Sequence, residues 1–360
     1  MTHKIALISD IHFGIKSNSE AYLKIISDFF YKTLSSVLKT RKITDVRILG
    51  DLFDCRNNIN IRILNVVIDI FTWYEKKMPE VKFKIVVGNH DIYFRNRLDV
   101  NSLIIFNKFD NVDVIDCITE EKIGDKKVIT YPWLITDTET EINSLFRSHC
   151  NGKNKWDLCL GHFEIAGFEM TKGNVDENGI QKGKFKNFGR VFSGHYHIRS
   201  TQGHISYLGC PYEINWNDYG DQKGIHIYDI DNNKTEFLPN KDSPKHIRVK
   251  VSDIIGATDA YLKKLEGNNI KLVVDKKYDD TEMMLVHSRM ESLDLIKIDT
   301  ENNIVDDDQD VDDVDISKLG NALLFLDEYV KKLELEEHLD HNEALSHIKE
   351  IHSEVETEND

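Results

Sequence analysis

The sequence predicts an α/β (α+β) fold, a sandwich of two mixed sheets flanked by helices, and three observations carry that prediction. Strand-like and helix-like signals alternate through the first half of the chain, the pattern of strands joined by helices. From residue 156 onward short strand signals dominate. Five short polar clusters each directly follow an apolar run, as residues do when strand C-termini converge on one rim of a sheet. A small β-α-β-α-β cap and a C-terminal helix complete the layout.

The elements follow in order. Ile5-Ala6-Leu7-Ile8 predicts a strand over 4–9, and Tyr22, Ile25, Ile26, Phe29, Phe30, Leu34, Val37 and Leu38 set a helix over 19–40. A strand at 45–49 leads to a helix at 59–77, and a strand at 83–87 to a shorter helix near 100–109. A strand at 112–116 is followed by a hairpin across Gly124-Asp125 and a helix near 138–149. Strands at 156–160, 190–193, 205–208, 225–229 and 234–238 close a first unit, 1–240. Residues 246–300 read as strand Ile247–Val251, helix Asp259–Leu265, strand Ile270–Val274, helix Glu282–Leu293 and strand Leu295–Ile298. So small a unit is expected to pack on the body as a cap. Residues 301–315 include an acidic run too polar to fold and form a disordered linker. Beyond it Ile316, Leu319, Leu323, Leu326, Val330 and Leu333 recur at heptad spacing on a helix over 316–338, before an acidic tail at 339–360.

The net charge of −16 looks hostile to a nucleic-acid enzyme until it is located. Residues 301–360 hold 20 acidic and 4 basic side chains, leaving 42 of each sign in the first 300. A neutral body can still carry a local basic groove, and bound cations add positive charge where phosphate sits. The five cysteines are scattered without a Cys-x-x-Cys pair, which argues for a reducing setting and against zinc fingers or a disulfide framework. No apolar run approaches the roughly 20 residues of a membrane span, and no signal-peptide pattern opens the chain. A cytoplasmic protein is expected.

The clusters are Asp10-Ile11-His12, Gly50-Asp51-Leu52-Phe53-Asp54, Gly88-Asn89-His90-Asp91, Gly161-His162 and Gly194-His195-Tyr196-His197. Asp10, His12, Asp51, Asn89, His162, His195 and His197 suit a pair of divalent cations that polarise a phosphate and generate hydroxide at neutral pH. Asp10 and His12 alternate across one residue, so at a strand tip both can face one metal. Asp51 has two oxygens and can bridge two cations, which lie roughly 3.5–4 Å apart in such sites. Imidazole with hard oxygen suits manganese, iron or zinc better than calcium. A lone Asp after a strand is more often a helix cap, and a lone buried His more often a bonded core residue; seven in series outweigh both. With Asn89 pointing to the metals, His90 is left to donate a proton to the leaving oxygen or to stabilise the transition state. Arg56, Arg62, Tyr93, Arg95 and Arg97, on loops beyond the ligands, suit contacts to a DNA backbone and stacking on an unpaired base. The segment from Phe163 to Lys186 reads as a mobile loop over the site. His226, His246 and His287 have no cluster partner and read as surface or core.

The order Asp-x-His, Gly-Asp-x-x-Asp, Gly-Asn-His-Asp, His, Gly-His-x-His resembles the calcineurin-like metallophosphoesterases. Within them, Gly-Asp-Leu-Phe-Asp-Cys-Arg (50–56), Gly-His-Phe-Glu-Ile-Ala-Gly-Phe (161–168) and Ser-Gly-His-Tyr-His (193–197) resemble the SbcD-type DNA repair and recombination nucleases, including those of T-even-like phages. The motif likeness covers about residues 1–240, and the remainder is similar in layout only. The resemblance implies one metal site of Asp10, His12, Asp51 and His197 and another of Asp51, Asn89, His162 and His195. It implies two manganese ions, with magnesium, iron or zinc as alternatives, and an Asp54 carboxylate that orients His90. It implies a 3′-to-5′ exonuclease and single-strand endonuclease that acts on DNA as a homodimer, its capping domain contacting the DNA. The partner would be an SMC-like coiled-coil ATPase (SbcC-type), docked through helix 316–338. The alternative is a phosphomonoesterase or cyclic-nucleotide phosphodiesterase of the same fold. Protein phosphatases of the superfamily carry Gly-Asn-His-Glu and an Arg-Gly after the second motif, where this chain has Asp91 and Arg56-Asn57.

Overall fold

Alternate side chains of a strand point to opposite faces, and here the two faces bury different cores. The structure, a computed structural model, describes residues 3–135, 139–149 and 155–302. Its first strands are β1 (Lys4–Ile8), β2 (Asp45–Ile48), β3 (Lys82–Val86), β4 (Val112–Ile115), β5 (Thr119–Ile123) and β6 (Lys126–Tyr131). Next come β7 (Trp156–His162), β8 (Glu169–Thr171), β9 (Asn174–Val175), β10 (Phe188–Gly194), β11 (Ser200–Gln202) and β12 (Ile205–Tyr207). The last are β13 (Gly224–Asp229), β14 (Lys234–Pro239), β15 (His246–Lys250), β16 (Asn269–Val274) and β17 (Lys297–Asn302).

One six-stranded sheet has the order β14-β13-β1-β2-β3-β4 and the other β11-β12-β10-β7-β6-β5. β1 to β4 are parallel in the first, and β12, β10, β7 and β6 in the second. Antiparallel strands complete the edges. This is the predicted two-sheet sandwich. Ile5 and Leu7 of β1 meet Leu158 and Leu160 of β7 and Phe192 of β10 between the sheets. Ala6, Ile8, Val46, Ile48, Phe83 and Ile85 face the other way, onto the helices. Arg47, between Val46 and Ile48, is buried on the inter-sheet side; its guanidinium lies 2.5 Å from Asp45 and 2.5 Å from Glu121 of the opposite sheet. Each charge leaves water only because the other is there.

The helices keep their predicted places with changes of detail. The helix predicted over 19–40 runs from Glu20 to Arg41 with a π-helical stretch at Phe29–Leu34. That wider turn lets neighbours Phe29 and Phe30 both turn inward, against Tyr212 and against Phe13 and Phe71. The helix predicted over 59–77 spans Ile61–Lys77, because Asn60 caps it by accepting the Arg62 N–H. The short helix near 100–109 is a 3₁₀ helix, Ser102–Lys108. Several short elements without a clear apolar period escape the sequence reading, among them β8, β9, β11 and the helix Val251–Ile255.

The cap is a three-stranded parallel sheet, β15-β16-β17, with its own core of Val249, Ile254, Leu262, Leu272, Val286 and Met290. It belongs to the same compact unit as the sandwich. Glu213 accepts the His246 N–H at 2.7 Å, Asn269 donates to the Tyr22 hydroxyl, and Trp216 packs on the His246 ring. β17 runs four residues past the predicted strand end. Glu301, expected in the linker, instead meets Arg248 and Lys271. The remainder of the linker, the helix over 316–338 and the tail over 339–360 lie outside the described residues.

Candidate metal centre

The parallel strands of each sheet end on one rim, and five of those ends bring the clusters together. β1, β2 and β3 deliver Asp10 with His12, Asp51, and Asn89; β7 ends on His162, and β10 runs into His195 and His197. Asp10, His12 and His197 place ligand atoms within 4.8 Å of one another, and Asp51, His162 and His195 do the same. The Asp51 carboxylate connects the groups, 3.3 Å from His162 Nε2 and 4.0 Å from His12 Nε2. Asn89 Oδ1 lies 2.9 Å from His162 Nε2 and 3.1 Å from His195 Nδ1. All seven sequence-derived candidates therefore meet, and a third set of donor atoms within 4.8 Å of one another joins His12 to Asp54 and His90.

Main-chain geometry builds this cluster. Asp10, His12, Asp51 and His195 all have positive φ (55°, 51°, 53° and 95°), a left-handed region that residues with a Cβ seldom occupy. Asp10 and His12 thus reach one centre by a left-handed turn beyond β1, not by the strand alternation read from the sequence. Two amides of that turn donate to the second ligand loop, Asp10 N–H to the Gly50 carbonyl at 3.2 Å and His12 N–H to that of Asp51 at 3.0 Å. Asp10 Oδ1 accepts the His195 N–H at 3.0 Å, crossing to the other sheet.

The electrostatics of the donor set fit cations. Asp10 and Asp51 are 0% and 1% exposed. Burial raises the Asp10 carboxyl above its usual range, and Asp10 Oδ2 has no hydrogen-bond partner. An acidic oxygen buried without a donor suits a metal ligand. Asp51 is held well below its usual value; burial opposes its charge, and His162, together with His12 and His90, more than offsets burial. Burial lowers His195 and His197 to about 3, helped by His162 and His12 respectively, so both are neutral imidazoles, the ligating form. His162 moves the other way: burial would lower it, but Asp51 and Asp10 carry it to about 9. Its proton supplies positive charge between the carboxylates, a role divalent cations would take over. Aspartate, imidazole and one amide oxygen form a borderline-hard set suited to manganese, iron or zinc.

His90 stands beside the donor set. Its Nδ1 donates to the Asp54 main-chain carbonyl at 2.6 Å, which leaves Nε2 as the open atom, and its N–H donates to Asp51 Oδ1 at 2.9 Å. The Asp54 carboxylate was expected on His90. It lies 3.3 Å from His12 Nδ1, without hydrogen-bond alignment, and within 4.8 Å of a ring nitrogen of His90. Asp54 thus sits between the two histidines, its carboxylate beside His12 and its carbonyl on His90 Nδ1.

Other contributors went unread in the sequence. Asp91 Oδ1 and Oδ2 accept the N–H groups of Phe53, Asp51 and Gly88 at 3.1, 3.0 and 2.9 Å, latching two ligand loops together. Burial, then the Asp51 charge, raises it to about 6. Its place in Gly-Asn-His-Asp was the available signal. Trp133 packs tilted against His195 and edge-on to His162, with ring centroids 5.2 and 5.9 Å away, and only its position after β6 hinted at this. The segment 163–186 is not a loose loop: Phe163, Ile165, Phe168 and Phe185 are buried, β8 and β9 pair, and Tyr196 donates to Asp176 at 2.6 Å. Of the DNA-contact candidates, Arg62 pairs with Glu20 and Arg97 with Asp99, so their charges are partly spent on neighbours. Tyr93 and Arg95 are exposed and Arg56 is half-buried.

A mixed two-sheet sandwich that gathers aspartates, histidines and an asparagine onto one rim, with a further histidine at its edge, defines a metal-dependent hydrolase. Residues 3–199 match the calcineurin-like phosphoesterases, and the chain belongs to that family. It is 27% identical to exonuclease subunit 1 of Enterobacteria phage T4 over 238 residues, 66% of this chain and 68% of that protein. It is 24% identical to a subunit of the nuclease SbcCD from Staphylococcus epidermidis over 230 residues, 54% of this chain and 58% of that protein. A dimetal phosphatase from Danio rerio superposes with a TM-score of 0.37 at 11% identity, over 63% of this chain and 92% of the other. No helix among the described residues is long and apolar enough to cross a membrane.

The raised His162 gives a sign to metal binding. Metal must displace a proton held up to about pH 9, so affinity climbs as pH rises from 6 toward 9 and each binding event releases protons. Calorimetric Mn²⁺ titrations in buffers of different ionisation enthalpy measure that release. Equal affinity at pH 6 and pH 8 would contradict it.

Proposed function

We propose that this chain is a manganese-dependent DNA nuclease, a 3′-to-5′ exonuclease and single-strand endonuclease. In this reading it works in repair or recombination as a subunit alongside an SMC-like ATPase. The observation that carries the reading is His90, fixed by the Asp54 carbonyl at the edge of the clustered donors, with His12 and Asp54 as its near neighbours. The likeness to two proteins named as nuclease subunits supports DNA as the substrate. When bound, a cation pair supplies Lewis acidity to the phosphate and activates the attacking water.

The chain's own residues supply position and proton transfer. The Asp54 carbonyl fixes the His90 ring, so that Nε2 gives a proton to the leaving oxygen or, protonated, holds developing negative charge there. A cavity of about 310 Å³ opens against His162 and is lined by Trp133, Phe163, Asn178 and Gln181 among others. Its aromatic wall and side-chain amides suit a nucleotide unit leaving the duplex. Asp91 holds the Gly50–Phe53 loop in register, while Trp133 shields two imidazoles from solvent.

Stripped of metal and then supplied with Mn²⁺, the protein is expected to cleave a labelled single-stranded oligonucleotide and leave p-nitrophenyl phosphate nearly untouched. The reverse preference would favour the phosphomonoesterase alternative, and cleavage that survives strong chelation would sink the metal mechanism. His90→Ser is expected to lower the cleavage rate by ~10²–10⁴-fold while metal content, by elemental analysis, stays at the wild-type level. Loss of metal in that variant would make His90 a ligand.

For the partner, the reading rests on the heptad seam from Ile316 to Leu333 and the acidic tether before it. The double variant Leu323→Glu with Leu326→Glu is expected to remain a folded, active nuclease and to lose co-purification with the ATPase. Unfolding of that variant would assign the seam to this chain's own core.

A further inference from the structure

Outside the donor set, Lys223 is a buried cation among the described residues. Its side chain is 0% exposed, at the entry to β13. A lysine ammonium has three donors and no acceptor, and each has a partner. Nζ lies 2.7 Å from Asp218 Oδ1 and 3.0 Å from Asp221 Oδ2, and it donates to the main-chain carbonyl of His197 at 2.6 Å. The first two contacts make a buried ion triad, which by itself would be ordinary structural chemistry. The third is different, because it ends on the backbone of a candidate metal ligand.

The surroundings show why that carbonyl needs a charged donor. The Cys210 N–H reaches the same oxygen at 3.3 Å and the Cys210 thiol at 3.6 Å, both long. A Cβ at Gly209 would fall on that oxygen and on the Arg199 amide, so the segment after β12 that carries Cys210 can approach only with glycine at 209. Asp218 is in turn fixed by the Ile214 and Asn215 N–H groups at 2.8 and 3.1 Å, and Asp221 accepts the Arg199 N–H at 3.5 Å. One ammonium therefore clamps the turn 214–221, the start of β13 and the ligand loop 195–199.

We propose that Lys223 is a positioning residue for the metal centre, setting the His197 main chain and so the placement of its imidazole beside Asp10 and His12. The inference rests on the metal-dependent reading above but not on DNA as the substrate. Removing an outer partner of a metal ligand typically lowers metal affinity by ~10–100-fold.

The test uses the full-length protein and Mn²⁺ alone. Lys223→Met keeps the length of the side chain and removes its donors. Calorimetric Mn²⁺ affinity is expected to fall by ~10–100-fold, with a smaller rise in melting temperature on adding Mn²⁺. The Mn²⁺ concentration for half-maximal cleavage should rise in parallel while the rate at saturating Mn²⁺ largely recovers. A purely structural lysine would lower the melting temperature of the metal-free protein and leave Mn²⁺ affinity unchanged, and that result overturns the proposal. If Lys223→Met does not fold, Asp221→Asn decides, since it loosens the clamp and keeps the lysine. Weaker Mn²⁺ binding with a near-wild-type metal-free melt supports the assignment, and wild-type affinity overturns it. Affinity is read without DNA, so a wild-type protein that binds Mn²⁺ and cuts no DNA would fail the functional reading and leave this one standing.

Discussion

Two carboxylates, Asp10 and Asp51, are buried side by side at the rim of the sandwich, and nearly every other arrangement near them answers to that fact. A buried carboxylate is costly unless charge or hydrogen bonds compensate it. Without metal the compensation comes from the His162 proton for Asp51, while Asp10 is pushed toward its neutral form and keeps one oxygen unpartnered. The cluster is thus electrostatically incomplete, and its deficit has the sign and place of bound cations.

The fold supplies position by main-chain means. Parallel strands from two sheets end at the same level, and left-handed residues just past those ends turn the side chains inward. Such backbone is strained and persists only where surrounding contacts over-determine it. Asp91, the ladder between the first two ligand loops, and the Asp10–His195 bond across the sheets are those contacts. The turn that holds Lys223 is also the turn whose Trp216 lies against His246 and beneath Lys271 of the cap. A packed path therefore runs from the cap sheet to the backbone of His197.

Much of this was legible in the residues. Apolar runs ending in polar clusters located the strands and all seven ligand candidates, because side chains at strand ends need no tertiary information to be recognised as such. What was illegible depended on the path of the chain between those ends. The carboxylate of Asp54 lies beside His12 while its carbonyl holds His90 Nδ1, a division that no spacing can express. The buried aromatics of 163–186 were diluted by glycines and lysines that masked their period. Lys223 is a single basic residue before a strand, and only the convergence of three loops gives it meaning. Asp91 had a motif but no role until its acceptor pattern was visible.

The glycines that precede three of the ligands carry a further consequence. A Cβ at Gly50 would land on the His162 ring, one at Gly88 on the Asp51 carboxylate, and one at Gly194 on the Ser9 hydroxyl and the Leu49 carbonyl. The distance between the two sheets at the rim is therefore set by the absence of side chains at Gly50 and Gly194, positions with no chemistry of their own. An alanine at Gly50 or Gly194 would wedge the halves of the cluster apart, and one at Gly88 would press on Asp51 within its own sheet, while every ligand, base and proton donor stayed in the sequence. Inheritance of the full donor set is thus not sufficient for a working site in a diverged relative. The spacing glycines are the part of the pattern that decides whether the donors can meet.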